Sequence, residues 1–491
     1  MSTPPKTSAP RSAASVAAGT AKANATKATR AVKAGATKAA RTTKPAPATK
    51  PAPPATAGKP TRSVTGTRRA ASDGVSGEAA SQWGAAGRWP GRGFGRGRGI
   101  YNRQLQAGNQ RWPVGARLLS WLFRRPELLL AVLGKPAPIR VDGRVMNRSI
   151  QAVLEVMTRL ETVVGSDEAE ELADPVAMRK QMQRIGLITM PVRTDVHVVG
   201  RSIPAAGGAG TANDIPVRIY RRFGTGVGTG VGLGSRPPAI VYYHGGGWVT
   251  GDLVSHDPSC RLLAAVSGCV VIAVDYRLAP EDPFPAAVDD AVAAYAWVHR
   301  HAEELGIAEG RVGVMGDSAG GNLAAAVALL TRPGAPDPSP VLAVPPGTPA
   351  PFVQGLVYPG LSTRFDSESV RLFGEGFFLT ERSMSAFRGA YLPDRADWEL
   401  GASSPLLADE VDGVAPALVV TAGFDPLRDD GDAYARKLKQ AGVAVEYRCY
   451  DDQVHGFFSM GFLADSLALS IEVCDAMGRW MHRDFPGPGW S

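Results

Sequence analysis

A short glycine-rich segment, Gly316–Gly321, contains the serine best placed to act as a nucleophile in this 491-residue chain. It fits the pattern Gly-x-Ser-x-Gly around Ser318. An apolar run before it, 312–315, predicts a strand, and an alanine-rich run after it, 322–330, predicts a helix. A serine at such a strand-to-helix turn has a strained backbone and an exposed hydroxyl. The pattern alone also fits an ordinary glycine-rich turn, so Ser318 needs partners elsewhere.

Two further residues match the partners that a serine nucleophile requires. The hydroxyl needs a general base, and the base needs a group that orients it. At this type of turn the partners follow along the chain in the order serine, acid, histidine. Asp425 follows the strand-like run 417–420, and His455 follows the run 443–450. Of seven histidines only His455 combines this order with a position after a strand, so we predict a Ser-Asp-His triad.

A second glycine-rich segment precedes the serine. His244–Trp248 contains three consecutive glycines and follows the apolar run 238–243, which predicts a buried strand. Acyl transfer develops negative charge on a carbonyl oxygen, and backbone N–H groups held ready can stabilise that charge. Glycines allow the backbone itself to face a substrate. The alternative is a flexible glycine loop without a role in chemistry.

Together these segments resemble the bacterial hormone-sensitive-lipase group of α/β-hydrolase carboxylesterases. The resemblance covers roughly residues 112–480 and rests on five motifs in order: His244–Trp248, Asp275–Glu281, Gly316–Asn322, Asp425–Gly431 and His455–Phe457. It implies an α/β-hydrolase fold, with a mostly parallel central sheet flanked by helices. It also implies a serine esterase or lipase that cleaves short-to-medium acyl esters through an acyl-enzyme.

The resemblance also assigns roles to single residues. Ser318 would be the nucleophile, His455 the general base and then acid, and Asp425 the group that orients His455. The oxyanion hole would be formed by the N–H groups of Gly246, Gly247 and Ala319. The Asp275–Glu281 motif is mainly a structural strut in such proteins. Amidase, lactonase or acyltransferase activity would use the same residues and remains an alternative.

Two positions depart from the family pattern. Asp430 stands where a glutamate is usual, and the stretch before His455 reads Asp-Asp-Gln-Val instead of an apolar, glycine-containing run. Neither change removes a catalytic group. The second could alter the wall of the substrate pocket.

The composition predicts three parts. Residues 1–111 form a basic tail and a Gly/Arg-rich linker, 112–190 a helical cap, and 191–491 the catalytic domain, with a second cap segment near 373–400. Strand-like and helix-like runs alternate from residue 215 onward, which favours an α/β architecture. Low-complexity stretches at 224–234 and 333–351 are predicted as surface insertions.

The tail differs from the rest of the chain in charge. Residues 1–72 contain 14 Lys and Arg and no acidic residue, leaving 40 basic and 46 acidic residues elsewhere. The tail has too few large apolar residues to bury a core, which predicts disorder. A cationic arm of this kind binds nucleic acid or anionic membranes weakly and in a salt-dependent way. A nucleic-acid-associated protein is therefore the alternative from another functional class, and a solubilising tail is the simplest interpretation.

The apolar residues of the cap segment 121–133 have two interpretations. They either pack inside the cap or contact a lipid surface. Arginines and a proline interrupt the run, which argues against a membrane span. Residues 1–25 lack the apolar core of a secretory signal, so the expected location is the bacterial cytoplasm, with contact to membrane or nucleoid through the tail. Four cysteines lack metal-ligand spacing, and the sequence has no phosphate loop or dinucleotide fingerprint, so neither a metal nor an organic cofactor is expected.

Overall fold

The computed structural model describes residues 110–111, 114–164, 172, 174–205, 214–224, 236–335 and 344–483. The predicted basic tail lies outside the described residues except for its last two positions. Those two positions form strand β1 (Gln110–Arg111), which pairs antiparallel with β4 (Val192–Arg193). Within the predicted low-complexity insertions, residues 225–234 and 336–343 also lie outside the described residues.

Helices dominate the region predicted as the N-terminal cap. Its main helices in the described residues are α1 (Val114–Phe123), α2 (Pro126–Val132), α3 (Arg148–Val164) and α4 (Pro175–Thr189). A two-stranded hairpin, β2 (Arg140–Val141) and β3 (Arg144–Val145), separates α2 from α3. The Asp174 side chain caps α4 by accepting hydrogen bonds from the N–H groups of Val176 and Ala177.

An eight-stranded sheet forms the centre of the described chain. Its order is β12-β11-β10-β9-β7-β8-β6-β5, and the six strands from β12 to β8 run parallel. The antiparallel pairs β8–β6 and β6–β5 complete one edge, which confirms the predicted mostly parallel sheet. The strands are β5 (Val196–Ile203), β6 (Ile215–Arg222), β7 (Ala239–Tyr243), β8 (Val270–Val274), β9 (Val312–Asp317), β10 (Gln354–Val357), β11 (Ala417–Phe424) and β12 (Val445–Val454).

Helices cover both faces of this sheet. In chain order, the helices of this part are α5 (Asp257–Ser267), α6 (Ala286–Arg300), α7 (Ala319–Leu330), α8 (Glu368–Phe373), α9 (Glu381–Tyr391), α10 (Arg428–Gln440) and α11 (Ala464–Met481). All but α8 and α9 lie on the faces of the sheet. Successive side chains of a strand point to opposite faces. Accordingly Val241 and Tyr243 pack in the core beside α6, α7 and α10, whereas Ile240 and Tyr242 pack in the core beside α5 and α11. Because both faces are covered, the central strands are mostly apolar, and β7 and β8 entirely so.

The parallel strands place their carboxyl ends at one edge of the sheet. The segments that follow β7, β9, β11 and β12 contain, in that order, the glycine loop after His244, then Ser318, Asp425 and His455. Strand β12 continues to Val454, so His455 follows it directly, whereas the sequence predicts that this strand ends near residue 450. None of the helices in the described ranges has the length and apolar character that crossing a membrane requires.

Candidate active site

Ser318 lies at a sharp turn between β9 and α7. Its φ of 55° and ψ of −119° fall in a region that L-residues rarely occupy, at a cost of order 1–3 kcal/mol. The surroundings hold the turn closely: the Ser318 N–H donates to the Val357 carbonyl at 2.9 Å. A Cβ atom on Gly320 would lie 2.0 Å from the Tyr243 carbonyl oxygen, so only glycine fits there. The predicted nucleophile turn is therefore present as a strained, tightly packed elbow.

The three predicted triad residues meet at hydrogen-bond distance. The Nε2 atom of His455 lies 3.0 Å from the Ser318 hydroxyl oxygen, and its Nδ1 atom lies 2.9 Å from Oδ2 of Asp425. Asp425 is fully buried, whereas the His455 side chain is 12% exposed and Ser318 is half-buried. The Leu427 N–H donates to the other carboxylate oxygen of Asp425 at 2.8 Å, which fixes its orientation. These hydrogen bonds thus run from the buried carboxylate of Asp425, through His455, to the half-buried Ser318.

The glycine loop after β7 has backbone N–H groups with no acceptor among the described residues. Gly246 has a φ of 121°, and its carbonyl accepts hydrogen bonds from the backbone and side chain of Thr250. Within the described ranges, no protein group accepts a hydrogen bond from the N–H of Gly246, Gly247 or Ala319. These three donors are free for an oxygen atom of a substrate.

Asp317 links the elbow to the glycine loop, a role that the sequence analysis did not assign. One of its carboxylate oxygens accepts the Gly245 N–H at 3.0 Å and the Tyr242 hydroxyl at 2.6 Å. Burial alone would raise the pKa of this carboxyl, but the nearby His256 ring and the Tyr242 hydroxyl hold the pKa below its ordinary value. Asp317 is thus a buried anion that ties the residue before Ser318 to the first glycine of the loop. Its place inside the serine motif was the available signal.

His244, the first residue of the loop motif, is structural. Its Nδ1–H donates to the Gly245 carbonyl at 2.9 Å, and its ring stacks on Tyr276 with centroids 4.3 Å apart. Burial lowers the pKa of His244 to about 4, so the ring is neutral at pH 7. The Tyr276 hydroxyl donates to the His244 carbonyl at 2.7 Å. This contact agrees with the strut role expected for the Asp275–Glu281 motif.

Arg179 connects helix α4, in the region predicted as the N-terminal cap, to the glycine loop. Its Nε atom donates to the Val249 carbonyl at 2.8 Å, and Nη2 donates to the Ala279 carbonyl at 2.9 Å. Glu281 pairs with the same guanidinium at 2.7 Å. Arg179 precedes Val249 by 70 residues, so no local pattern could have indicated the contact.

Helix α9, within the predicted second cap segment, lies against the other side of the loop. A Cβ atom on Gly247 would lie 2.4 Å from the Phe387 ring, and Trp248 stacks on Tyr391 with centroids 4.5 Å apart. The planes of the stacked rings differ by only 5°. Any group bound at the Gly246 and Gly247 N–H donors therefore lies close to the Phe387 ring.

The two departures from the family pattern have local structural explanations. The residues before His455 point to other partners: Asp451 pairs with Arg144 at 2.9 Å, and Asp452 accepts from the Asn147 side chain at 3.2 Å. Asp430, at the start of α10, accepts the Ser362 N–H at 3.2 Å. Burial raises the pKa of Asp430 to about 7, and the nearby carboxylates add to the shift.

Neither a metal site nor a reactive thiol accompanies the triad. In the part of the chain that the structure describes, no group of His, Cys, Asp and Glu side chains can hold a metal ion. All four cysteines are free, and burial raises the pKa of their thiols, to about 12 for Cys269. A depression of about 470 Å³ beside β12 is lined by Asn147, Cys449–Gln453, Asp465, Ala468 and Leu469, and it includes none of the predicted site residues.

Comparison with known proteins places this arrangement in a family. Residues 240–459 match the family model described as the alpha/beta hydrolase fold. The carboxylic ester hydrolase LipN of Mycobacterium tuberculosis is 40% identical over 352 residues, which cover 71% of this chain and 85% of that protein. An ethyl acetate hydrolase of Pseudomonas putida is 41% identical over 260 residues, which cover 51% of this chain and 74% of that protein.

Solved structures agree with the sequence relatives. An ester hydrolase from the metagenome of Lake Arreo, complexed with a derivative of bipyridine phosphonate, superposes with a TM-score of 0.59 at 37% identity, covering 68% of this chain and 98% of that one. A thermostable esterase from Pseudomonas putida gives a TM-score of 0.60 at 31% identity, covering 69% and 98%. The chain therefore belongs to the alpha/beta-hydrolase fold family, within its hormone-sensitive-lipase group of carboxylic ester hydrolases.

Proposed function

We propose that this chain is a serine carboxylesterase that works through an acyl-enzyme on Ser318. The observation that carries the proposal is the unbroken hydrogen-bonded relay from Asp425 through His455 to the Ser318 hydroxyl. A serine hydroxyl is a weak nucleophile until a positioned base removes its proton as it attacks. His455 Nε2, 3.0 Å from that hydroxyl oxygen, has the geometry of such a base.

The reaction follows from the positions of the groups. Ser318 Oγ forms a bond to the ester carbonyl carbon while His455 Nε2 takes its proton, and Asp425 stabilises the resulting imidazolium through Nδ1–H. The carbonyl oxygen becomes an oxyanion that accepts hydrogen bonds from Gly246, Gly247 and Ala319. His455 then gives the proton to the leaving alkoxide, which departs as the alcohol. Water, activated by the same histidine, hydrolyses the acyl-enzyme and releases the acid.

Short-to-medium acyl esters are the proposed substrates. The Phe387 ring lies against Gly247, so it lines the space beside the proposed oxyanion hole with an apolar surface. The name of the Pseudomonas putida relative, ethyl acetate hydrolase, also favours a small ester. Amides and lactones would meet the same groups, and an alcohol in place of water would give acyl transfer. The names of the relatives favour ester hydrolysis over these alternatives.

A serine substitution tests the proposal. Ser318→Ala removes the attacking oxygen, so hydrolysis of p-nitrophenyl butyrate is expected to fall at least about 10⁴-fold. Ser367→Ala is the matched control, because Ser367 is half-buried and bonds only to the Ser369 hydroxyl among the described side chains. Activity of Ser318→Ala near that of the control would contradict the assignment.

A chain-length series tests the substrate range. With p-nitrophenyl esters from acetate to palmitate, we expect the highest kcat/KM between two and eight acyl carbons, the range meant by short to medium, and we expect p-nitroanilides of the same acids to react far more slowly. Phe387→Ala should move the maximum toward longer acyl chains, since it removes the ring beside Gly247. A maximum at palmitate in the unaltered protein would contradict the proposed range.

A further inference from the structure

The most exposed large apolar side chains of this protein are concentrated in its N-terminal helices. Twelve such side chains are at least 38% exposed in the described residues, and nine of them lie on α1 to α4. The much larger α/β part therefore leaves few large apolar side chains exposed, whereas the N-terminal helices expose many of theirs. Contiguous exposed apolar surface on a protein marks a site of interaction.

Helices α1 and α2 contribute five of these residues, which we call the N-terminal apolar face: Leu118, Trp121, Leu122, Leu128 and Val132. In α1 the spacing of three and four residues places its three members on one side of the helix. Phe123, by contrast, is only 7% exposed and packs edge-on against Phe462. Trp121 is 64% exposed and Val132 78%. Both helices therefore use part of their apolar surface for the core and present the rest outward.

Basic residues lie next to these apolar residues in the sequence. Arg117, Arg124 and Arg125 are exposed and form no ion pair with the residues that the structure describes. Glu127, the acidic residue of this stretch, forms an ion pair with Arg148 at 2.7 Å. In sequence, residues 1–140 contain 25 Lys and Arg and 3 Asp and Glu, leaving 29 basic and 43 acidic residues in the remaining 351. The N-terminal apolar face thus lies at the border between a strongly cationic and an anionic part of the chain.

We propose that the N-terminal apolar face docks on an anionic lipid surface. Exposed Trp and Leu side chains enter the headgroup and acyl boundary, while the arginines meet acidic headgroups. A nucleic acid would satisfy the arginines but leave the leucines and Val132 in water. A second copy docked through the same face would bring the arginines of both copies close together, which is unfavourable because like charges repel. The inference goes beyond the proposed ester hydrolysis, because no residue of the triad takes part.

Vesicle cosedimentation of the full chain tests the apolar part of the proposal. Vesicles of equimolar phosphatidylglycerol and phosphatidylcholine are compared with vesicles of phosphatidylcholine alone. We expect binding to the anionic vesicles, and we expect Trp121→Ser/Leu128→Ser to weaken it about tenfold or more. The matched control is Phe223→Ser/Leu400→Ser, two exposed apolar residues outside the N-terminal helices, which should bind as the unaltered protein does.

The charged part is tested with a second pair of variants. Arg124→Gln/Arg125→Gln should weaken binding to the anionic vesicles about tenfold and leave binding to phosphatidylcholine unchanged. The control, Arg300→Gln/Lys439→Gln, removes the same charge from exposed positions on α6 and α10 and should have a much smaller effect. Hydrolysis of soluble p-nitrophenyl acetate should be the same in all four variants, which separates this proposal from the proposed function.

Three outcomes would overturn the proposal. Equal vesicle binding by Trp121→Ser/Leu128→Ser and the unaltered protein would mean that charge alone attaches the chain to vesicles. A fall of several degrees in the Tm of that variant would mean that the face packs against another part of the chain. A dimer in solution that this variant abolishes, without vesicle binding, would mean that a second copy occupies the face.

Discussion

The surroundings of Ser318 and the helices α1 and α2 differ in how far their residues are enclosed. Around Ser318, the residues Asp317, Asn322 and Asp425 are at most 5% exposed, and the side chain of each forms hydrogen bonds to more than one group or to a group far along the chain. On α1 and α2, five large apolar side chains are 38–78% exposed. Preorganised chemistry needs side chains locked by their neighbours, whereas a docking surface needs side chains that remain accessible.

The triad variants should give the largest effect. His455→Ala removes the proposed base, so kcat for p-nitrophenyl butyrate should fall about 10⁴-fold or more while the Tm stays within a few degrees. His299→Ala, a half-buried histidine at the end of α6, is the control and should retain normal kinetics. Normal activity in both variants would contradict the assignment of His455 as the base.

Two leucine variants compare the packing of the two regions directly. Leu323→Ala, in fully buried α7, should lower the free energy of unfolding by about 2–5 kcal/mol, because it opens a cavity in the core. Leu118→Ala, at a position 59% exposed on α1, should change it by no more than about 0.5 kcal/mol. Urea denaturation of both variants gives the comparison. Equal losses would show that α1 is as tightly packed as the core.

The pH dependence of stability should depend on Asp430. Its pKa is raised from 3.8 to about 7 in the folded chain, so the folded state holds a proton that the unfolded state has lost. The stability linked to this proton is complete below pH 4 and is lost as the pH rises through 7. Asp430→Asn keeps an oxygen for the Ser362 N–H, and it should reduce the loss of stability between pH 5 and 8 by about 1–3 kcal/mol.

Asp432→Asn, on the same helix but paired with Arg436, is the control for the pH experiment. Its unfolding free energy should follow the pH profile of the unaltered protein. A profile of Asp430→Asn that also matches the unaltered protein would mean that Asp430 is ionised throughout this range.

Arg179, which joins helix α4 to the glycine loop, should give the smallest of these effects. Arg179→Met removes the hydrogen bonds to the Val249 and Ala279 carbonyls, so the glycine loop loses one of its supports. We expect kcat to fall about tenfold with little change in KM, since the donors of the loop act mainly in the transition state. Arg184→Met, an exposed position on the same helix, should leave both constants unchanged. A rise in KM without a change in kcat would assign Arg179 to the substrate pocket instead.

Residues at the ends of strands could be predicted from the sequence. Apolar runs identify β9, β11 and β12, and parallel strands bring the residues that follow them to one edge of the sheet. Ser318 and His455 are 137 residues apart in the chain, yet their atoms lie 3.0 Å apart because each follows such a strand. Local rules are sufficient there, because the fold itself supplies the long-range contact.

Residues that act through packing between distant segments could not be predicted. Arg179 has no pattern that distinguishes it from Arg184 on the same helix, and only the position of α4 against the Val249 carbonyl gives it a role. The burial of the apolar residues of α1 could not be predicted from the sequence either. Their spacing shows which side chains share a face, but it does not show whether that face meets the core or solvent. The structure divides them, with Phe123 buried and Trp121 exposed.

Covalent labelling tests the central claim most directly. The full chain is treated with a fluorophosphonate, which reacts with activated serine hydroxyls, and the adduct is located by mass spectrometry of the digested protein. We predict one adduct, on the peptide that contains Ser318, and none in the Ser318→Ala and His455→Ala variants. An adduct on another serine, or esterase activity that survives without any adduct on Ser318, would contradict the assignment of Ser318 as the nucleophile.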